Sequence, residues 1–157
     1  MQPIQKPITG DNVLDKRDDN VSKEIFVALH NFYKAFNTKN FEIMENNWLN
    51  SDEISMDNPL GGIKRGWEEI KEVYQRIFLG HANVYVEYYD YTINQLDDGF
   101  CAVGRERGYI EINGEKVELA IRTSRIYKKI NKTYKQLHHH GSIENPKLLE
   151  KYQNFVK

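Results

Sequence analysis

The sequence predicts an α+β domain in which helices cover one face of a curved sheet. Three observations carry this. Val21, Ile25, Leu29, Phe32 and Phe36 recur at helical spacing near the start. After Gly80 the apolar period changes to two. Asn113-Gly114 then supplies a strong hairpin signal between two alternating runs.

The elements follow in order. Residues 1–19, MQPIQKPITGDNVLDKRDD, mix prolines and charges without periodicity and read as a flexible N-terminal arm. Residues 20–157 read as one domain. Its first helix ends near Asn37, and a shorter one places Phe41, Met44 and Trp48 on one face. In SDEISMDNPLGG a short strand with Ile54 and Met56 runs into a loop holding Pro59, Gly61 and Gly62. Gly66 opens a third helix, with Glu68 and Glu69 in the first turn and Gly80 closing it. Its buried residues should be Trp67, Ile70, Tyr74 and Ile77. Four strands follow: NVYVEYYDYTIN, FCAVGRERGYIEI, EKVELAIRTSRIYKKI and TYKQLHHH, turning at DDG, NG and NK. The tail, 146–157, puts Leu148, Leu149, Tyr152, Phe155 and Val156 on one helical face behind Pro146. The predicted order is α-α-β-α-β-β-β-β with a C-terminal helix.

Composition narrows the function classes. With 22 basic and 23 acidic residues, no net field recruits nucleic acid or an anionic membrane. No apolar run approaches a membrane span, and MQPIQKPITG lacks a signal-peptide core. Cys101, the single cysteine, has no internal disulfide partner, which fits a cytoplasmic setting. Ten tyrosines, seven phenylalanines and two tryptophans imply an aromatic core, an aromatic-lined cavity or an aromatic interface.

The segments AFNTKNFEIM, DNPLGGIKRGWEEI and TYKQLHHHGS, in this order around one helix and a strand meander, resemble the nuclear transport factor 2-like superfamily. The nearest resemblance is to its SnoaL-like and ketosteroid-isomerase-like domains, and it spans residues 20–143. It implies a conical fold, a bent sheet wrapped around the N-terminal helices with one open pocket, and a homodimer through the outer sheet face. The isomerase chemistry does not carry over. Ketosteroid isomerase uses an aspartate base beside a tyrosine and a protonated aspartic acid. The resemblance puts the base at Asn58, before Pro59, and an amide cannot abstract a proton. The tyrosine falls on Phe32, with Tyr33 turned about 100° around the helix. The acid should lie in 117–127, but no Asp or Glu occurs from Leu119 to Ile143. The aspartate–arginine–aspartate set of limonene epoxide hydrolase and the His/Asp/Tyr group of scytalone dehydratase find no match either.

Strand alternation predicts Tyr134, Gln136, His138 and His140 on one face, with Lys135, Leu137 and His139 on the other, outside the sheet. Ala102, Gly104, Glu106 and Gly108 share a face, leaving room for a cavity or for close approach of another backbone. The candidate acid–base groups are Asp57, Glu106, His138 and His140, and the candidate ligand contacts are Trp48, Asn58, Tyr74, Glu106, Arg122, His138 and His140. Each has a second reading. Asp57 can cap the Pro-Gly turn, Asn58 can bond the loop backbone, and Glu106 can join an ion-pair ladder with Arg105 and Arg107. Arg122 and Arg125 can clamp a carboxylate or pair with Glu87 or Glu118. A metal on His138 and His140 needs a third ligand from Glu106, His81 or His30, so no metal is assigned and no cofactor is implied. The expected function is a pocket for a small, partly apolar molecule. The alternatives are an isomerase, dehydratase or hydrolase acting by proton transfer in that pocket, and a protein-association module using the outer face.

Overall fold

The computed structural model describes residues 1–11, 18 and 20–157. It contains α1 (Lys23–Thr38), α2 (Phe41–Asn47), β1 (Ser55–Asp57), β2 (Lys64–Arg65), α3 (Gly66–Leu79), β3 (Asn83–Leu96), β4 (Gly99–Ile112), β5 (Glu115–Ile130), β6 (Thr133–Ser142) and α4 (Pro146–Phe155). The order is the predicted one, with the two-residue β2 added. Six strands form one curved, unclosed sheet in the order β2-β1-β6-β5-β4-β3, antiparallel except where β1 lies parallel to β6. No helix among the described residues is long and apolar enough to cross a membrane.

Local chemistry sets the boundaries. Asn40 Oδ1 accepts from Ile43 N at 3.1 Å and starts α2. Asn145 does the same for α4, with Pro146 in the first turn. Asn113 and Gly114 both have positive φ, 53° and 84°, as a two-residue hairpin turn of this type requires. Val21, Ile25, Leu29 and Phe32 of the predicted helical face are buried, as are Trp67, Ile70 and Tyr74 of α3. Phe36 and Ile77 sit at the margin of the core.

The N-terminal segment corrects the expectation of a free arm at the points where it is described. Ile4 N donates to Tyr91 O and Ile8 N to Tyr88 O, both at 2.8 Å, so the segment pairs along the outer edge of β3. Ile8 is fully buried. The physical reason is that β3 ends the sheet, and its unpaired backbone groups and apolar flank take the segment as a partial extra strand. Asn37 fastens the same region to α1. Its amide nitrogen donates to Thr9 O and Val86 O, and its Oδ1 accepts from Val86 N. Residues 12–17 and 19 of the predicted arm lie outside the described residues.

Candidate functional site

Two β-bulges decide which side chains enter the concave side of the sheet. On β6, Tyr127 pairs with Gln136 but Ile126 pairs with His138, so Leu137 is an extra residue. One inserted residue reverses the facing of everything beyond it. Gln136 and His139 therefore point inward, while His138 and His140 point outward. This overturns the predicted alternation, which placed His138 and His140 inside and His139 outside. On β3, Asp90 and Tyr91 lie in the irregular stretch opposite Gly104, and both Tyr88 and Tyr91 turn inward and are fully buried. The room expected over Gly104 is thus taken by tyrosines. A Cβ there would stand 2.5 Å from Tyr91 Cβ. At Gly108 the close approach is to backbone, 1.8 Å from Tyr85 O.

The centre of the fold is a buried polar network around Arg125, which is 1% exposed. Arg125 donates to Gln136 Oε1 at 2.8 Å, to Glu106 Oε2 at 3.3 Å and to the Tyr33 hydroxyl at 3.4 Å. Its guanidinium also stacks 3.6 Å over the Phe32 ring. Thr123 donates to the other oxygen of Glu106, and Asn47 joins Gln136 to Tyr127. Burial works against the charge on Arg125, but Tyr33, Glu106, Tyr127 and Tyr74 outweigh it and the guanidinium holds its proton more firmly than usual. Burial likewise pushes the Tyr33 phenol well above its ordinary range.

Beside this network several buried polar atoms have no hydrogen-bond partner. Both ring nitrogens of His139 are among them, while the Trp48 indole N–H meets the Tyr74 hydroxyl. His139 lies opposite Arg125 in the β5–β6 pairing. Burial drives its pKa well below the usual histidine value, and Arg125, His138 and His140 add to this, so the ring is neutral. The Tyr74 hydroxyl sits between Trp48 and Arg125 and donates weakly to Met56 Sδ at 3.6 Å. Across one end lies α4, whose Tyr152 is pushed up to about 12 by burial and by the charge of Glu106.

The outward histidines meet Asp57. The parallel pairing of β1 with β6 sets Ser55 against His138 and Asp57 against His140. His140 Nδ1 stands 2.6 Å from Asp57 Oδ2, and His138 Nε2 stands 3.4 Å from Asp57 Oδ1. Ser55 Oγ lies 2.8 Å from His138 Nδ1. Glu106, His81 and His30 are the third partners the sequence offers for the histidines, and the structure brings Asp57 instead.

The remaining predicted site residues fall into three places. Trp48, Tyr74 and Glu106 are buried, Glu106 bonded to Arg125 and Trp48 packed beside Tyr74. Glu106 takes part in no ladder with Arg105 and Arg107. Those two face outward to Asp90, Glu144 and Glu87. Asn58 bonds its own loop, accepting from Leu60 N at 3.0 Å. Arg122 is on the outer face, paired to Glu144 and donating to Ser142. Two clefts, of about 430 and 330 Å³, open elsewhere, one lined by Lys39, Tyr109 and Lys116 and the other by Asn31, Asn46 and Tyr134. Sequence reasoning left Tyr33, Thr123, Gln136 and His139 out of the candidate set. A signal for the buried charge was available: Arg125 shares its strand face with Leu119, Ile121 and Thr123, three residues suited to an interior.

The fold and this interior define a class, the cone-shaped α+β domains of the nuclear transport factor 2-like superfamily. The SnoaL-like domain matches residues 25–146, and the chain belongs to that family. No functionally curated protein matches it. Solved structures share the fold at low identity. One is a proposed calcium/calmodulin-dependent protein kinase II association domain from Xanthomonas campestris, 16% identical over 82% of this chain and 91% of that one, with a TM-score of 0.70. Another is a proposed dehydratase of the NTF2-like family from Streptomyces avermitilis, 18% identical over 80% and 97%, TM-score 0.68. A third is a nuclear transport factor 2-like superfamily protein from Salmonella enterica serovar Typhimurium, 20% identical over 76% and 88%, TM-score 0.66.

Proposed function

We propose that this chain binds a small, partly apolar molecule carrying an oxygen acceptor, at the centre of the fold beside Arg125. The observation that carries the reading is His139, whose two buried ring nitrogens have no hydrogen-bond partner. Buried polar atoms without partners are costly and rare, and two on one ring suit a partner that the chain does not itself supply. The Tyr74 hydroxyl is a donor, Arg125 adds positive charge, and neutral His139 can donate from one nitrogen and accept at the other. Phe32, Trp48 and Tyr74 give the apolar walls. A small carboxylate or ketone satisfies both requirements. Entry is past α4, which has no fully buried residue and is the least anchored helix around the site.

Binding is favoured over proton-transfer catalysis because the interior acid is occupied. Glu106 is held by Arg125 and Thr123, and Asn58 bonds its own loop. The outer sheet face, where Tyr85 stacks on Tyr109 and Arg107 lies over Tyr89, is our proposed homodimer contact, and sedimentation at micromolar concentration tests it. The ligand reading is tested by titrating benzoate, butyrate and cyclohexanone into the Trp67→Phe variant, whose remaining tryptophan is Trp48. Saturable fluorescence changes that disappear in His139→Phe support the reading. No response to any of the three probes, or responses unaffected by His139→Phe, overturn it.

A further inference from the structure

We propose that Asp57, His138 and His140 form a binding site for a divalent transition-metal ion of the zinc class. The site stands on the convex side of β1 and β6, separate from the buried centre, and depends on a different set of contacts.

The backbone alone brings the three side chains together. In the parallel pairing Asp57 lies opposite His140 and Ser55 opposite His138, so both histidines and Asp57 emerge from one face of two adjacent strands. The extra residue at Leu137 is what turns that pair of histidines to this face. One donor atom from each of Asp57, His138 and His140 lies within 4.8 Å of the others. Two bonds of about 2.0–2.2 Å reach at most about 4.4 Å across a metal, so the three donors need only a small side-chain turn to converge on one ion. The 2.6 Å approach of Asp57 Oδ2 to His140 Nδ1 is a hydrogen-bond distance, and the His140 side chain, 53% exposed, is free to turn and open it.

Two further features point to a ligand. Asp57 Oδ1 is buried yet accepts no hydrogen bond, so the carboxylate keeps an unused lone pair inside the cluster. Ser55 Oγ, 2.8 Å from His138 Nδ1, can accept that ring's proton, and in the tautomer with the proton on Nδ1 the Nε2 lone pair faces Asp57. A hydrogen-bonded outer partner of this kind orients an imidazole ligand and raises its basicity. Two imidazoles and one carboxylate suit zinc, iron(II), cobalt or nickel, whereas magnesium and calcium prefer all-oxygen sets. Three protein ligands, with His140 half in solvent, leave at least one coordination position for water or a substrate oxygen.

The test uses the full chain, dialysed against a chelator and titrated with Zn²⁺ by calorimetry and with Co²⁺ by its visible absorption. The expected result is one ion per chain. Ser55→Ala should weaken binding by about 10–100-fold. His138→Ala and His140→Ala should weaken it further, and His81→Ala should leave it unchanged. All these positions are partly or fully exposed, so the chelated variants should melt close to the unsubstituted protein, separating lost ligation from lost folding. Absence of Zn²⁺ binding, or equal binding by the His138→Ala/His140→Ala double variant, overturns the proposal.

Discussion

Gln136 and His139 face the same side of β6 although three positions separate them, because Leu137 has no partner on β5. Without that bulge His139 would lie outside and remain free to take up a proton. Inside, opposite Arg125, it is held neutral. Its folded-state pKa is depressed, so below about pH 6.5 the unfolded chain binds a proton that the folded chain refuses. Stability contributed by the neutral ring is present above that pH and is lost as pH falls through the window beneath it. Urea midpoints at pH 7.5 and pH 5 should show a drop in the unsubstituted protein that is smaller in His139→Phe. Equal drops in both would assign the acid sensitivity to other groups.

Glu106 and Arg125 form an ion pair with 6% and 1% of their side chains exposed. Removing one partner leaves the other charged without compensation, at a cost of about 3–5 kcal/mol. Glu106→Gln should therefore destabilise strongly, and Arg125→Met at least as much, since Gln136 and Tyr33 also lose their donor. The Glu106→Gln/Arg125→Met double variant should be clearly more stable than the sum of the single losses implies. Simple additivity in a urea double-mutant cycle would refute the coupling.

Most of the architecture was legible in the residues, and most of the site was not. Helical spacing located α1 and α3, period-two patterning located β3 to β6, and Asn113-Gly114 marked a hairpin turn that the structure contains. These are local signals, each decided by neighbours along the chain. The facing of the functional groups depends on two inserted residues whose effect is set by the neighbouring strand. Nothing in QLHHH distinguishes Leu137 as the unpaired residue. The meeting of Asp57 with His140 is likewise non-local, arising from a parallel pairing between a three-residue strand and the end of the meander. Glu106 is legible as an acid on a face of small residues, whereas Arg125 reads from sequence as a carboxylate clamp or a pair to Glu87 or Glu118, and its partner Glu106 emerges only from the pairing of β4 with β5.

The close approach of Tyr91 and Tyr88 to Gly104 makes that glycine a packing requirement. A Cβ would lie 2.5 Å from Tyr91 Cβ and 3.1 Å from the Tyr88 ring. Both rings are fully buried and stacked on one another, with Tyr88 stacked in turn on Tyr33, so none can swing away cheaply. Gly104→Ala should cost about 1–3 kcal/mol through overpacking. A urea midpoint unchanged from the unsubstituted protein would show that the interior holds more free space than its rings leave in the structure.

The docked N-terminal segment makes the last prediction. Ile4 and Ile8 exchange backbone hydrogen bonds with Tyr91 and Tyr88 in both directions, and Ile8 fills the core margin completely. Those two tyrosines are also the ones packed over Gly104, so the segment supports the interior from behind β3. Ile8→Ala should cost about 2–5 kcal/mol if the segment stays in place. If it instead detaches, the loss is capped at the free energy of docking, and the amides of Ile4 and Ile8 become free to exchange. Hydrogen exchange separates the two outcomes. Protection of both amides in the unsubstituted protein, reduced in Ile8→Ala, is the expected pattern. Exchange at the rate of an unstructured peptide in the unsubstituted protein would mean that the edge of β3 is open and that the segment contributes nothing to the core.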